Sequence, residues 1–449
     1  MGSELAVQFS ARPRFTVYSG LHNRLHNHAA QPLEAGRPGD GTRLAEPEPV
    51  TFPIAMLIFI VFLNRYVFGL YFRLIRGKAI QTVDRTYEPT VTVVVPLFNE
   101  GRSIYDTIVS LVRLDYPAHK LSVTVVDDCS TDDSYEWACK AADEYPNVRV
   151  LRNPHNMGKR KGINHAVREA RAEIIVSVDS DVIVCPTAVR ELVARFASPD
   201  IAAVGGRVHV SNPNDNWLSK LQTIKYYFGQ EHLKNLERSL EAVMCLSGCL
   251  TAYRRSVLIE LEPVLENRNI LGVPIKYGED RFLTHQIVKR GYKTRMTMDA
   301  MCFTKAPTTL SGYFNQQLRW KRSNIVDFIV GIGHAWQFHP LLCLHYLSML
   351  ALLIVYPFVI ATHVVEHQFI ELAVFHAQIV ALLGLIYYFS PSVRALPPWL
   401  RVHPLSFLPM AVMMPVVYLL MTPLGLFTLD SSSWETRGHQ AASPPRGPR

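Results

Sequence analysis

The sequence predicts an α/β domain with a largely parallel sheet, threaded between α-helical membrane segments. Three observations predict it. Continuous β-branched runs alternate with helical patterns; each run ends in polar or acidic residues; and long apolar segments stand on both sides of that soluble pattern.

The elements follow in chain order. Residues 1–50 carry five Arg and five acidic groups, several Pro and Gly, and no apolar block of signal-peptide type, which predicts a disordered tail. His22, His26 and His28 lie there without a nearby Cys and read as solvated rather than metal-binding. Ile54 to Phe72 approaches the roughly 20 residues that cross a bilayer, giving a transmembrane helix over 51–76. A globular domain fills 77–308, and amphipathic interface helices fill 309–338. Pro340 to Ala361 and Ile370 to Phe389 give two more membrane helices over 340–390. Leu405 to Leu429 is long enough to cross but is interrupted by Pro409, Pro415 and Pro423, so 391–429 reads as an interfacial or re-entrant segment. A polar tail occupies 430–449.

Composition narrows the class. The 449 residues are 49% apolar with a formal charge of +8. Arg73, Arg76 and Lys78 follow the first apolar run, and Lys305, Lys321 and Arg322 precede the second. "THVVEHQ" between the second and third runs has no Lys or Arg. The positive-inside rule therefore predicts a cytoplasmic domain in an integral plasma (inner) membrane protein. A cytoplasmic C-terminal tail fits the same rule, because Arg437, Arg446 and Arg449 lie in it. Seven cysteines with no Cys-x-x-Cys pair fit a reduced compartment rather than a disulfide framework.

"TVTVVVPLFNE" (90–100), "LSVTVVDD" (121–128) and "EIIVSVDSD" (173–181) are the strands, apolar on both faces as in a covered parallel sheet. Their polar ends, Asn99 and Glu100, Asp127 and Asp128, Asp179 and Asp181, point to one crevice at the carboxyl edge of the sheet. In an extended "VDSDV", Asp179 and Asp181 face the same side and can reach one divalent cation and the diphosphate it bridges; a polar strand end capping a helix has the same pattern. "NMGKRKGIN" (156–164) places Lys159 in a basic turn suited to a phosphate or base, or to solvent. In "YGEDRFLTHQIVKRGYKT" (277–294), Asp280 or Glu279 stands where a loop meets a helix, as a general base or as a plain helix cap. In "LSGYFNQQLRWKRS" (310–323), Gln316, Arg319 and Trp320 share a helical face while Leu310, Phe314 and Leu318 form an apolar stripe suited to a membrane surface.

"VVDD", "VDSD", "SGCLTAYRRS", "GEDR" and "QQLRW", in this order and followed by membrane helices, resemble the processive membrane synthases of glycosyltransferase family 2. These include hyaluronan, chitin, nodulation chitin-oligosaccharide and cellulose synthases. The resemblance spans about residues 88–438 and implies a glycosyltransferase A-type (Rossmann-like) cytosolic domain. It implies that Asp128 and Lys159 hold the uridine, Asp179 faces the UDP diphosphate, and Asp181, with Asp179 beside it, ligates Mg or Mn. Asp280 is then the base. Gln316, Arg319 and Trp320 bind the pyrophosphate and the acceptor end, and Cys245, Ser247 and Gly248 lie near the terminal sugar. Cys249 departs from the proline common in hyaluronan synthases.

"PLGLFTLDSSSWETRG" is similar to the segment of hyaluronan synthases in which a Trp-Gly-Thr-Arg loop covers UDP, so Trp434 and Arg437 are implied gating residues over 430–449. Glu435 departs from the usual glycine there. The implied activity is processive, inverting polymerisation of UDP-sugars coupled to export, with hyaluronan from UDP-glucuronate and UDP-N-acetylglucosamine as first expectation. A chitin-like or other glucuronate-containing product, or non-processive transfer to a lipid carrier, is the alternative. A non-catalytic pore or scaffold has no use for the carboxylates of Asp128, Asp179, Asp181 and Asp280, all of which are present. The implied partners are UDP-sugars, the growing polysaccharide and the lipid bilayer, not nucleic acid. Asn64, Arg65, His345, His376 and Gln378 fall inside apolar runs, where polar groups face protein or a water-filled path.

Overall fold

In a computed structural model the described residues are 82–429, save 271–272 and 276, together with Tyr71. The expected tail at 1–50, the first membrane helix with Asn64 and Arg65, and the loop carrying Trp434 and Arg437 lie outside them.

An eight-stranded mixed sheet forms the centre, ordered β3-β2-β1-β4-β7-β6-β10-β5. Its parallel half is β1 (Val91–Leu97), β2 (Leu121–Asp127), β3 (Val148–Arg152) and β4 (Ile174–Ser177). Every residue of β1 is buried, the condition its unbroken apolar run foretells. The other half mixes directions. β7 (Thr251–Arg254) runs antiparallel to β4 and to β6 (Ile201–Val210), β10 (Lys293–Thr304) pairs parallel with β6, and β5 (Val182–Val184) closes the edge against β10.

Helices cover both faces. α1 (Ser103–Val112), α2 (Ser134–Glu144) and α4 (Ala188–Val193) pack on one side around Ile104, Ile108, Ala138 and Leu192. α3 (Lys159–Glu169), α7 (Arg255–Glu266) and α8 (Glu279–Lys289) pack on the other around Val167, Leu261 and Ile287. Each fully buried Val, Ile or Leu contributes about 1.5–3 kcal/mol, so these two layers hold the strand ends in fixed register.

Between β6 and β7 the chain makes α5 (Trp217–Glu231) and the short α6 (Asn235–Ser239). Asn216 starts α5 with a reciprocal capping box: its side chain accepts from the backbone of Leu218 and Ser219, and Ser219 Oγ accepts from Asn216 N. The two-stranded β8 (Asn269–Ile270) and β9 (Val273–Pro274) precede α8.

After β10 comes one helix, α9 (Leu310–Phe338), where several were expected. Its apolar stripe does not face lipid as expected. Tyr313, Phe314 and Leu318 pack with Leu218 and Leu221 of α5 and with Val417 and Met421 of α13 (Met410–Phe427), although Leu310 is exposed. A helical period reports an apolar partner without saying whether that partner is protein or bilayer.

α10 (Pro340–Val365), α11 (Phe369–Phe389) and α13 are long and apolar enough to cross a membrane; the short α12 (Pro391–Arg394) follows α11. Phe358, Ile370, Leu385 and Phe427 are more than half exposed on them, as lipid-facing positions would be. Within α10 and α11, Tyr356 and His376 hydrogen-bond each other, a helix-to-helix contact. α13 lies along α9: Lys321 sits 3.2 Å above the Tyr418 ring, and a Cβ on Gly425 would stand 3.4 Å from Ile325 and from Lys321.

Candidate active site

Strand ends and helix starts meet at the carboxyl edge of the parallel half. Lys159 is not in a loop, as expected, but opens α3. Gly158 precedes it at φ +86°, a conformation open to glycine and strained for other residues. What fixes that turn is Asp128. Its buried carboxylate accepts from Asn153 Nδ2, Met157 N and Gly158 N, each at 2.8 Å. Asp128 thus shapes the turn that presents Lys159.

The Lys159 ammonium lies 2.7 Å from Asp179 Oδ1 and 2.7 Å from Glu279 Oε1, with its side chain only 18% exposed. Burial opposes its charge, but the two carboxylates outweigh that and hold it well above the usual lysine range. Glu279 gains in return: burial disfavours its anion, yet Lys159 keeps its carboxyl below the ordinary value.

Asp280 is set apart. Burial, then the neighbouring Glu279 charge, push its carboxyl upward. It accepts from Arg281 N at 2.9 Å and Gly248 N at 3.3 Å. Of the two acids at this junction, Glu279 is tied to a cation while Asp280 carries the raised affinity for a proton that suits a base. Gly278, at φ +66°, starts α8, and a Cβ there would stand 2.3 Å from Ser323 Oγ, so this helix start is seated directly on α9.

Residues 245–249 form the floor. A Cβ on Gly248 would lie 3.0 Å from Lys159 Nζ and 3.5 Å from Asp179 Oδ1, so a larger residue there would press on the lysine tip. The Cys245 carbonyl accepts from Lys234 Nζ at 2.6 Å, Ser247 Oγ accepts from Cys249 N at 3.3 Å, and Cys249 Sγ donates to Asp179 Oδ2 at 3.5 Å.

Asp179 and Asp181 lie in the turn between β4 and β5, not in a continuing strand as expected; β4 stops at Ser177. Asp181 Oδ2 accepts from Thr304 Oγ1 of β10 at 3.3 Å. Among the described residues no set of three His, Cys, Asp or Glu side chains could hold a metal alone. Two hard carboxylate oxygens still suit Mg or Mn, which usually takes one or two carboxylates and completes its shell with substrate phosphates and water.

α9 packs against the start of α8. Gln316 is buried, Trp320 meets the edge of Tyr226 at 5.8 Å, and Arg319 is half-buried with no ion pair among the described residues. At the other end, the Tyr277 hydroxyl donates to the Leu429 carbonyl at 2.9 Å and Arg322 Nε donates to Thr428 Oγ1 at 2.9 Å. The end of α13 therefore rests two residues from Glu279. Sequence reading missed this contact, since no local pattern encodes it. It also missed the buried Arg281–Asp327 pair (3.4 Å) behind Asp280, in which burial raises the Asp327 carboxyl to about 6.

Comparison with known proteins gives the family and the same fold. A family model described as glycosyltransferase-like family 2 matches residues 89–323. An N-acetylglucosaminyltransferase of Rhizobium leguminosarum bv. viciae is 32% identical over 366 residues, 80% of this chain and 84% of that protein. N-acetylglucosaminyltransferases of Sinorhizobium fredii (strain NBRC 101917 / NGR234) and Rhizobium meliloti (strain 1021) are each 34% identical, over 54% and 59% of this chain. The chain spans 59% and 62% of those two relatives. A mannosyltransferase of Pyrobaculum calidifontis, solved with GDP-Man and Mn2+, is 22% identical with a TM-score of 0.56 over 82% of this chain and 97% of that one, a likeness of fold.

Proposed function

The chain belongs to glycosyltransferase-like family 2, and from that premise we propose that it polymerises N-acetylglucosamine from UDP-N-acetylglucosamine into a β-linked, chitin-like chain at a membrane. The relatives named as N-acetylglucosaminyltransferases support this donor over the hyaluronan expected first; none of those reported carries a glucuronate activity in its name. One observation carries the chemistry: Asp280, its proton affinity raised, lies beside Gly248 and next to the Glu279–Lys159–Asp179 chain of charges.

The step follows from those roles. Asp280 takes the proton of the acceptor hydroxyl as that oxygen attacks the anomeric carbon. The bond from that carbon to the phosphate oxygen breaks, UDP leaves with the electron pair, and the configuration inverts. Lys159 and Arg319 are cations that meet the phosphates, and Trp320 offers the acceptor a flat face. Asp181, with Asp179 beside it, would hold a Mg or Mn ion, which supplies charge neutralisation to the departing diphosphate. Asp128 serves the uridine by shaping the 153–158 turn. Cys245, Ser247 and Gly248 shape the floor beneath the acceptor.

Trp434 and Arg437, outside the described residues, enter this reading as a closing loop on the resemblance; Leu429, the last described residue, accepts from the Tyr277 hydroxyl, two residues from Glu279. α10, α11 and α13 anchor the domain, with the catalytic side cytoplasmic and the product led outward. The test is incubation of purified full-length protein with Mn and single or paired UDP-sugars. Product from UDP-N-acetylglucosamine alone, cut by chitinase, is expected. A requirement for UDP-glucuronate and a product cut by hyaluronan lyase contradicts the reading.

A further inference from the structure

Asp280 sits in a helix turn that three separate contacts hold in place. Arg268 Nη1 donates to the carbonyls of Tyr277 and Gly278, at 2.6 and 2.9 Å, just ahead of α8. Gly278 itself is seated against Ser323 of α9. Beyond Asp280, Arg281 Nε lies 3.4 Å from Asp327 Oδ2, and Ser323 Oγ donates to that same oxygen at 3.5 Å. The backbone N–H of Arg281 is also the donor to Asp280 Oδ1. The carboxylate read as the base is thus bracketed, at Gly278 and at Arg281, by contacts to one neighbouring helix.

That helix also carries Gln316, Arg319 and Trp320. Trp320, Ser323 and Asp327 are spaced i, i+3, i+7 and share a face of α9. From Trp320 to Asp327 the helix rises about 10 Å, and α9 runs unbroken from Leu310 to Phe338, so a shift at one is carried to the other.

Asp327 is 3% exposed, and burial raises its carboxyl to about 6 against the pull of Arg281 and Arg268, so it stands as an anion at neutral pH. The charged or titratable groups facing it are Arg281 and Asp280 from α8, Arg268 from the segment ahead of β8, Cys245 from the floor of the site and Tyr346 from α10. A buried ion pair adds little net stability over apolar residues of the same volume, so stability alone does not account for this one.

We propose that Asp327 is a positioning residue for transfer: through Arg281 and Ser323 it ties the first turn of α8, and with it the Asp280 carboxylate, to the helix bearing Gln316, Arg319 and Trp320, so that the base is aligned by the seating of α9. This rests on the reading of Asp280 as the base.

The experiment compares full-length wild type with Asp327→Asn, which keeps the side chain's size and drops its charge, in a radiolabelled UDP-N-acetylglucosamine assay across pH. The variant lowers kcat about tenfold while the donor KM and the Kd of UDP stay within about twofold, a loss of orientation rather than of binding. It also moves the acid limb of kcat/KM down by about half a unit, because Arg281, freed of its partner, lowers the proton affinity of Asp280. A folded variant with wild-type kcat, with the limb unmoved, or with a tenfold loss of UDP affinity overturns the proposal.

Should the lone Arg281 charge unfold that variant, Arg281→Met combined with Asp327→Leu removes both charges and leaves none buried alone. The pair is expected to fold and to lose kcat as the single variant does. Full turnover in it, or failure of both variants to fold, assigns the ion pair to stability and overturns the proposal. Turnover in Asp280→Asn overturns the reading of the base instead, and is measured before any Asp327 variant is compared.

Discussion

The cleft around Lys159 and the α5–α9 contact around Lys225 each enclose a lysine, and they treat it in opposite ways. Lys159 has two carboxylates at 2.7 Å and a proton affinity well above normal, whereas Lys225 has an amide and a phenol and a value brought down to about 8. The first region is charged and internally balanced, ready for a ligand that brings charge of both signs, a diphosphate with its cation. The second is a nearly neutral contact between two packed helices, its ammonium shared by an amide oxygen and a phenol. Burial alone does not mark function; what the enclosed charge is paired with separates a charged cleft from a contact between helices.

Removing the base should break the charged region most completely. Asp280→Asn should lower transfer at least ~100-fold, the scale of a lost general base, with UDP still bound. Full turnover in a radiolabelled-donor assay removes Asp280 from that role. Lys159→Met should come next. It strands the partly buried Asp179 and Glu279 carboxylates and costs on the order of 3 kcal/mol, seen as a lower melting temperature together with weaker UDP binding. A variant that loses neither shows that the ion-pair chain is ornamental.

The pH dependence sharpens the same contrast. Asp280 must be ionised to act, and its affinity for the proton is raised, so the acid limb of kcat/KM should lie above the ordinary carboxylate range. Glu279→Gln removes the neighbouring negative charge, lowers that affinity, and should move the limb to lower pH; a shift upward contradicts the assignment. The smallest effects belong to the tail. Tyr277→Phe loses one hydrogen bond to Leu429, worth about 1 kcal/mol, and should slow polymerisation roughly fivefold at most. Trp434→Ala should slow polymerisation with UDP contacts otherwise kept, and an unchanged rate retires the closing loop.

Much of this was legible in the residues. β1 and β2 announce themselves because their side chains are mostly β-branched and apolar, and the acids at their ends fall where a sheet of this kind binds its ligand. β3 was missed because Val148–Arg152 alternates with two arginines at the sheet edge and reads as loop. The "VDSD" carboxylates were found for an incomplete reason, strand alternation, where a turn between β4 and β5 sets them. The stripe on α9 was assigned to lipid because periodicity cannot distinguish α5 and α13 from a bilayer. Lys225 left no signal at all: a single lysine in a helix is solvated by default, and only the fold shows what buries it.

The most direct measurement is a structure of the full-length protein bound to UDP and Mn. The account predicts the diphosphate between the Asp179–Asp181 turn and Arg319, with the Asp280 carboxylate open toward the acceptor side and Lys225 free of nucleotide. A nucleotide bound away from that turn, or with its phosphates on Lys225, would contradict it.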